Sequence, residues 1–288
     1  MTTLNIIGAG KLATALGILL SRQGLVTVGS LFSRRLAKAQ AVCSAIGQGS
    51  AIDNLAAAAD AELWLIATAD DAIAEVADRL ASGSGNWQGR IVFHCSGLHS
   101  SELLAPLSAR GALAASLHPV HSFADPGHSA RHFDGTFCTL EGAAAATGEL
   151  RRLFGQIGAR VIAIDAGNKP LYHAATAVAS NHLVALLADS LAMLAAAGIG
   201  DGDARALLSP LVLGSASNAL SLGPGPALTG PIARGDVDTL ARHLEALARQ
   251  TPNLLPPYLA LARQALALAT ATNPPSAGQL AIAKLLEP

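Results

Sequence analysis

A chain of 288 residues is long enough for two ordinary domains, and a hydrophobic content of 51% suits a protein that buries a substantial core. The formal net charge is -1 and 14% of the residues are charged, so no basic excess could neutralise a nucleic-acid backbone. The 3 cysteines are far apart and form no CxxC pair, which favours reduced thiols in the cytoplasm over a disulfide or zinc framework. The first residues enter a predicted strand directly instead of a signal segment, so we do not expect secretion.

The first part of the chain alternates short β-branched runs with helix-like segments. This alternation is typical of an α/β, Rossmann-like, doubly wound and mainly parallel sheet with helices on both faces. The predicted strands span 4–7, 26–32, 63–67, 90–94, 113–117, 136–140 and 160–164. The predicted helices span 11–22, 35–46, 72–80, 101–109 and 144–157.

After about residue 166 the strands stop and the pattern becomes all-helical. Pro170 suits a first helical turn and Gly198 suits a helix end, so a long helix is predicted between them. Its apolar part, 183–198, is interrupted by Asp189 and Ser190, which favours a buried helix over a membrane span. We therefore expect a nucleotide-binding domain at 1–166, a helical substrate and dimerisation domain at 167–288, and no membrane segment.

The opening stretch LNIIGAGKLATAL (4–16) carries a glycine pattern between a strand and a helix. Gly8 would permit the tight turn, Gly10 would let a phosphate approach the backbone, and the small Ala13 would let the helix pack on the strand. The free N–H groups of the helix would then face a pyrophosphate. We expect Ala9, Lys11 and Leu12 to complete this dinucleotide site; a bare structural turn is the alternative.

The end of the second predicted strand indicates which dinucleotide would bind. Ser33, Arg34 and Arg35 stand where an NAD enzyme carries an acidic residue, and no Asp or Glu occurs before Asp53. A hydroxyl and two guanidinium groups suit the 2′-phosphate of NADP through charge-assisted hydrogen bonds. The alternative is that these arginines are only solvated.

Polar residues follow two further strands. Thr68 and Ala69 are expected to line the cofactor cleft, and Asp70 or Asp71 to cap the next helix. In HCSG (94–97), Ser96 could hydrogen-bond a substrate or the nicotinamide amide, or it could only shape the turn.

Two imidazoles lie directly after the fifth predicted strand, in SLHPVHSF (116–123). His118 and His121 could donate a proton or orient a substrate, because imidazole suits both tasks near neutral pH. Metal binding is disfavoured, since no third ligand accompanies the HxxH spacing. Two ordinary turn histidines remain the alternative.

A polar stripe opens the predicted long helix. At 3.6 residues per turn, Lys169, His173, Thr176 and Ser180 share one face, and Asn181 lies beside them. Such a stripe needs partners or a ligand, because buried unpaired polar groups are costly. Helix capping and hydrogen bonds within a bundle would also explain it.

A glycine-proline turn, LTGPIARGD (228–236), precedes another predicted helix. Arg234 could hold a substrate carboxylate in a bidentate fork or form a surface salt bridge, and Asp236 is predicted to cap the helix.

These motifs occur in one order that resembles a family of NADP-dependent oxidoreductases: the glycine pattern, HPVHSF (118–123), KPLYHAATAVASN (169–181) and TGPIARGD (229–236). In that family a Rossmann-like domain precedes a helical domain of unknown function. The resemblance covers nearly the whole chain, and more distantly the chain is similar to pyrroline-5-carboxylate reductase, ketopantoate reductase and 6-phosphogluconate dehydrogenase. It implies a helical domain that closes the active-site cleft and often builds a homodimer.

The distant relatives use a lysine and an asparagine on the first long helix of the second domain to act on the substrate. Lys169 and Asn181 are the nearest counterparts here. Their spacing departs from the hydroxyacid-dehydrogenase pattern, in which the two residues are one turn apart. His173 therefore competes with Lys169 for the catalytic role.

The sequence thus predicts a cytoplasmic enzyme that moves hydride between NADP(H) and a small carbonyl, imine or hydroxy acid. Lys169 or His173 would transfer the proton, and His118 or His121 would orient the reacting atom. The further substrate-binding candidates are Ser96, Ser180, Thr229 and Arg234. The alternatives are a non-catalytic NADP-binding sensor and a helical interaction module with a decayed nucleotide fold.

Overall fold

A computed structural model describes residues 2–287 of the chain. The chain forms two compact units that divide between Val178 and Ala179. The sequence predicted a domain boundary after residue 166, which precedes this division by 12 residues. Each unit is described by itself below.

The first unit is built on one eight-stranded sheet, which confirms the predicted Rossmann-like class. Its order is β3-β2-β1-β4-β5-β6-β7-β8, and every described strand pair is parallel except β6 with β7. The strands are β1 (Thr2–Ile7), β2 (Val26–Phe32), β3 (Ser50–Ile52), β4 (Leu63–Ile66), β5 (Ile91–His94), β6 (Leu113–Pro119), β7 (Phe137–Gly142) and β8 (Arg160–Ala163).

Helices cover both faces of this sheet. The helices of the first unit are α1 (Lys11–Arg22), α2 (Leu36–Ile46), α3 (Ile73–Ser82), α4 (Ala105–Ser108), α5 (Pro126–Arg131), α6 (Ala144–Gln156) and α7 (Lys169–Ala177). Sequence reasoning missed α5, which begins after Asp125, whose side chain accepts a hydrogen bond from the His128 N–H. The predicted helix at 101–109 is a 3₁₀ turn, Ser101–Leu104, followed by α4.

The strands bury apolar side chains on both faces, as strands of a covered parallel sheet do. In β4, Leu63 and Leu65 belong to one core cluster, whereas Trp64 and Ile66 belong to a second cluster on the opposite face. This period of two follows from the pleat of a strand. The sheet is therefore sandwiched, and its strand ends are held in fixed positions.

The predicted long helix is interrupted by a turn of a wider helix. Residues Val178–His182 form a π-helical segment between α7 and α8 (Leu183–Ala196). A π segment changes the angle between successive side chains, so the predicted stripe from Lys169 to Ser180 does not continue past α7 with regular spacing. The predicted helix start is confirmed, because Pro170 lies in the first turn of α7. The predicted end is confirmed at Gly198, which has a φ of 85°.

The second unit is all-helical. After α8 it contains α9 (Asp201–Leu222), α10 (Pro224–Ala227), α11 (Pro231–Arg234), α12 (Val237–Gln250), α13 (Leu255–Ala269) and α14 (Ala277–Leu285). Asp236 caps α12 as predicted, because its side chain accepts from the Thr239 N–H. The buried cluster of the unit is small and consists of Leu240, Ala262, Ile282 and Leu286.

Several long apolar side chains of α8 and α9 are exposed. Within the described residues, the helical run Ala166–Ala196 is the one that is long and apolar enough to cross a membrane, and its most apolar window is not buried. One such helix is weak evidence of a membrane span, since length and composition alone do not distinguish it from an apolar helix of a soluble protein. The expectation of no membrane segment stays a prediction.

Candidate active site

A cleft of about 580 Å³ lies at the carboxyl ends of β1, β2 and β4. Gly8, Ala9 and Gly10 form its floor between β1 and α1. Gly8 has a φ of 125°, and a Cβ there would lie 2.3 Å from the backbone oxygen of Ala67, so only glycine fits. A Cβ at Gly10 would meet nothing within 4 Å. The turn therefore needs its first glycine for packing, and its second leaves space beside the backbone.

The start of α1 offers unpaired backbone donors. Gly10 is the N-cap, no side chain caps the helix, and no acidic residue lies in its first turn. Lys11 and Leu12 begin that turn, and Ala13 is fully buried in the core of the unit. An uncapped N-terminus carries free N–H groups and partial positive charge, which suit a pyrophosphate.

The end of β2 places hydroxyl and basic groups on the same cleft. Ser33 and Arg34 line it, together with Lys38 from the first turns of α2. Arg35 instead forms the N-cap of α2, and its N–H donates to the Ser33 Oγ. The sequence did not predict a role for Lys38, which lies in the first turn of α2.

Thr68 contributes a buried hydroxyl oxygen to the wall of the cleft. Thr68 lines it, and its buried Oγ1 has no hydrogen-bond partner among residues 2–287. Buried hydroxyls are normally hydrogen-bonded, so an unpaired one in a cleft wall is what a bound ligand would satisfy. Ala69 lies beside it on the same wall. Open space at Gly10, basic groups after β2 and this hydroxyl together fit a dinucleotide phosphate.

The turn after β5 is held by the Ser96 hydroxyl. Ser96 Oγ donates to Asp70 Oδ2 at 2.6 Å and accepts from the backbone N–H groups of Leu98 and His99. One donor and two acceptor positions exhaust what a hydroxyl offers, which favours the turn-shaping alternative for Ser96. Asp70 therefore contacts the turn after β5. The prediction that Asp70 or Asp71 caps the next helix is wrong, because no side chain caps that helix.

Lys169 is enclosed inside the first unit. Its side chain is fully buried, and Nζ donates at 3.0 Å to the backbone oxygen of Ser96 and at 3.0 Å to Ser116 Oγ. Burial lowers the pKa of Lys169, and the nearby Glu141 carboxylate opposes that shift. The ammonium thus ties α7 to the turn after β5 and to the middle of β6.

His94 completes the buried polar cluster at the end of β5. Its ring is fully buried, Nε2 lies 3.0 Å from the Ser100 oxygen, and Nδ1 accepts from the Ser96 N–H at 3.2 Å. Burial lowers the pKa of His94 to about 4, so its ring is neutral near pH 7. The sequence did not predict a role for His94.

His118, Tyr172 and His173 form an aromatic cluster beside this turn. His118 Nδ1 lies 2.8 Å from Tyr172 Oη, and the His118 and His173 rings meet edge to face with centroids 6.0 Å apart. A Cβ at Gly97 would lie 2.5 Å from His173 Cδ2 and 3.0 Å from His118 Nε2. The cluster therefore packs directly on the Gly97 backbone, at the carboxyl end of β5. Sequence reasoning did not weigh Tyr172.

His121 lies apart from this cluster. Its ring packs against Phe123 and Phe133 with centroids 5.1 and 5.9 Å away, and Thr136 Oγ1 lies 3.5 Å from its Nδ1. Burial lowers the pKa of His121, and His128 and His132 add to the shift. Of the two predicted cleft imidazoles, the structure thus brings His118 alone to Tyr172 and His173.

Four predicted site residues belong to the second unit. Ser180 and Asn181 are exposed in the π-helical segment, Thr229 is exposed before α11, and Arg234 is exposed at the end of α11. Their assigned roles remain predictions.

Comparison with known proteins identifies both parts of the chain. A Rossmann-like domain model matches residues 2–119, and the model of a domain of unknown function, DUF2520, matches residues 136–265. The second match begins just before β7, so it includes two strands of the sheet. No curated protein matches the chain significantly.

Solved structures share the fold over nearly its whole length. A Thermotoga maritima protein has 25% identity and a TM-score of 0.71 over 93% of this chain and 98% of its own. A Bacteroides fragilis protein described as an NADP oxidoreductase has 21% identity and a TM-score of 0.76 over 92% and 97%. A reductive aminase from Aspergillus terreus, in complex with NADPH and ethyl levulinate, has 19% identity and a TM-score of 0.70 over 99% of both chains.

Proposed function

Because the chain joins a Rossmann-like domain to a DUF2520 domain, we propose that it is an NADP(H)-dependent oxidoreductase acting on a small carbonyl, imine or hydroxy acid. The observation that carries this proposal is the cleft at the carboxyl ends of β1, β2 and β4. The similarity to a protein described as an NADP oxidoreductase and to an NADPH-bound reductive aminase supports the same reading.

The residues of the cleft divide the work of holding the nucleotide. Gly10 and the first turn of α1 would hold the pyrophosphate through backbone N–H groups. Ser33, Arg34 and Lys38 would hold the 2′-phosphate, with charge-assisted hydrogen bonds that a 2′-hydroxyl could not return. Thr68 would donate its unpaired hydroxyl to the bound nucleotide.

When bound, the nicotinamide supplies or accepts the hydride, so this chain must position the substrate and move one proton. His118 and His173 are the groups we propose for contact with the substrate. Lys169 is fully buried and donates to Ser96 and Ser116, so we propose that it fixes the turn after β5 instead of serving as the acid. Arg234 and Asn181 remain candidates for binding the substrate.

Titration calorimetry with NADPH and NADH tests the cofactor assignment, and a screen of small oxo and imino compounds with NADPH tests the reaction. We expect NADPH to bind more tightly than NADH and at least one compound to be reduced. Tight NADPH binding without any turnover would favour a sensor, and no binding of either nucleotide at millimolar concentration would overturn the proposal.

We also propose that the protein is a cytoplasmic homodimer. Support comes from the second unit, where Leu211, Leu213 and Leu220 of α9 are 60%, 68% and 89% exposed. Leu213 and Leu220 are seven residues apart and therefore lie on one side of α9, and exposed apolar surface on one side of a helix is typical of an interface. Light scattering on the purified protein should give twice the mass of one chain, and a monomeric mass would contradict the proposal.

A further inference from the structure

We propose that Tyr172 and His118 form a proton relay, in which the Tyr172 phenol holds the His118 ring so that its Nε2–H faces the reacting oxygen or nitrogen of the substrate. This inference rests on the proposed oxidoreductase function, because it names the group that delivers the proton. His118 would contact the substrate, and Tyr172 would act through His118 as a positioning residue.

The first support is the hydrogen bond between the two side chains. His118 Nδ1 and Tyr172 Oη are 2.8 Å apart, and the rings meet edge to face at 83°. A phenol is the better donor of the pair and a neutral imidazole nitrogen is the better acceptor, so the O–H donates to Nδ1. When Nδ1 accepts, the single proton of a neutral imidazole resides on Nε2.

The second support is the position of Nε2. Among the described residues no hydrogen bond engages this atom, and it lies 3.0 Å from where a Cβ of Gly97 would be. Gly97 follows β5 at the carboxyl edge of the sheet, which is the edge where ligands bind in open α/β folds. A donor without a protein partner is thus held at the ligand-binding edge, and the missing side chain of Gly97 leaves room for it.

The third support is that His118 is not cationic when it acts. Burial, with smaller contributions from Lys169 and His173, lowers the pKa of His118 to about 4. A neutral imidazole is a very weak acid unless its other nitrogen gains a proton as the first one leaves. Tyr172 supplies that second proton, and burial, which raises the pKa of Tyr172, keeps the phenol protonated.

The proposed step balances in atoms and electrons. The substrate carbon would receive the hydride that a bound reduced nicotinamide supplies, and the electron pair of the C=O or C=N bond would move to the oxygen or nitrogen. That atom takes the Nε2 proton, Nδ1 takes the Tyr172 proton, and the negative charge resides on the Tyr172 phenolate. A solvent proton then reaches Nε2, and Nδ1 returns its proton to the Tyr172 phenolate, which restores both the phenol and the starting tautomer of the ring.

The chain contains its own matched control. Its other tyrosine, Tyr258, lies 2.9 Å from Nδ1 of His243, and those rings also meet edge to face, at 87°. His243 is exposed on α12 of the second unit. Tyr258→Phe therefore removes the same type of hydrogen bond without touching the proposed relay.

The pairing can be tested without any substrate, by long-range proton–nitrogen NMR of the histidine rings. The His118 signals would be assigned by their loss in His118→Gln. We expect Nε2 to be protonated and Nδ1 unprotonated in the wild type, a mixture of tautomers in Tyr172→Phe, and no change of His118 in Tyr258→Phe. Protonation of His118 at Nδ1, or an unchanged ring in Tyr172→Phe, would overturn the relay.

The kinetic test uses NADPH and a compound that the wild type reduces. We expect Tyr172→Phe to lower kcat by roughly 10²- to 10⁴-fold, the range for loss of a positioned acid, while KM and NADPH affinity change little. Tyr258→Phe should retain wild-type kcat. Unchanged kcat in Tyr172→Phe would overturn the relay even if the NMR result holds. If no compound is reduced, the proposed function fails and the relay with it, whereas the NMR result still decides the pairing.

Discussion

The two units of this chain bury their apolar residues to very different extents. In the first unit, Phe93 and Phe154 are fully buried and pack edge to face with centroids 6.2 Å apart. In the second unit the buried cluster has four members, while Leu213 and Leu220 are 68% and 89% exposed. The first unit encloses its own core, whereas the second leaves apolar helix faces that a second copy of the chain could cover.

Their buried polar groups differ as well. The first unit encloses Lys169, His94 and Ser116 near the strand ends, whereas the second buries Gln279, which closes a capping box with Ser276 at the start of α14. A capping box stabilises a helix end locally. A buried ammonium costs stability unless hydrogen bonds satisfy it, and Ser96 and Ser116 accept hydrogen bonds from the Lys169 ammonium here.

The largest effect should come from the core of the first unit. Phe154→Ala removes a fully buried ring, and we expect it to lower the free energy of unfolding by about 3–5 kcal/mol. The exposed counterpart Leu213→Ala should change it by less than about 0.5 kcal/mol, provided the measurement is made on the monomer. Urea unfolding measures both, and equal losses would break the contrast between the two units.

The next effect concerns acid stability. His94 has a folded pKa of about 4 against 6.5 when free, so the unfolded chain binds the proton first and stability falls as pH drops from 6.5 to 4. The shift corresponds to a loss on the order of 3 kcal/mol. Lys169 and His99 disfavour the charged ring, and Asp70 favours it.

Unfolding of His94→Gln at pH 7 and pH 4.5 isolates this contribution. We expect the free energy of unfolding to fall less between pH 7 and pH 4.5 in His94→Gln than in the wild type. His118 accounts for part of the fall that remains. His243→Gln, in the exposed ring of the second unit, serves as the control and should behave like the wild type. An equally steep wild-type and His94→Gln profile would contradict the prediction.

A smaller effect is expected in the nucleotide cleft. Arg34→Asp and Lys38→Asp should each weaken NADPH binding by about 10- to 100-fold, the equivalent of one charge-assisted hydrogen bond, and should change NADH binding little. Arg35→Asp should weaken it less, because Arg35 is not among the residues that line the cleft. Arg242→Asp, exposed on α12, is the control in calorimetry. Equal losses of affinity for NADPH and NADH would contradict the assignment of these residues to the 2′-phosphate.

The smallest expected change in free energy concerns dimer dissociation, and it would still be detectable as a change in the mass of the assembly. Leu213→Asp places a charge on the exposed apolar face of α9, and we expect the dimer to dissociate at least about 10-fold more readily. Sedimentation at several concentrations measures this shift, with the exposed Arg242→Gln, which also lowers the net charge by one, as the control. An unchanged dimer would place the interface elsewhere.

Local patterns in the sequence predicted most of the sheet. The bounds of β2 and α1 match the prediction because an apolar run and the glycine pattern delimit them. The strand β3 was missed, since SAI is only three residues long and begins exposed. The antiparallel pairing of β6 and β7 was not predicted, because pairing direction depends on contacts far apart in sequence.

The same difference between local patterns and contacts far apart in sequence applies to the candidate site. The tight turn at Gly8 and the open space at Gly10 could be predicted from a motif whose residues are adjacent in sequence. The bond between His118 and Tyr172 joins residues 54 positions apart, and the bond from Lys169 to Ser96 joins residues 73 apart. Lysine is usually solvated, so composition could not indicate that Lys169 would be enclosed.

The enclosure of Lys169 has a practical consequence for chemical labelling. Acylating reagents need a solvent-accessible amine, and Lys11, Lys38 and Lys284 are exposed. In the native protein these three should react while Lys169 stays unmodified. Its acylation would then report, through mass spectrometry of a single peptide, how often the first unit opens.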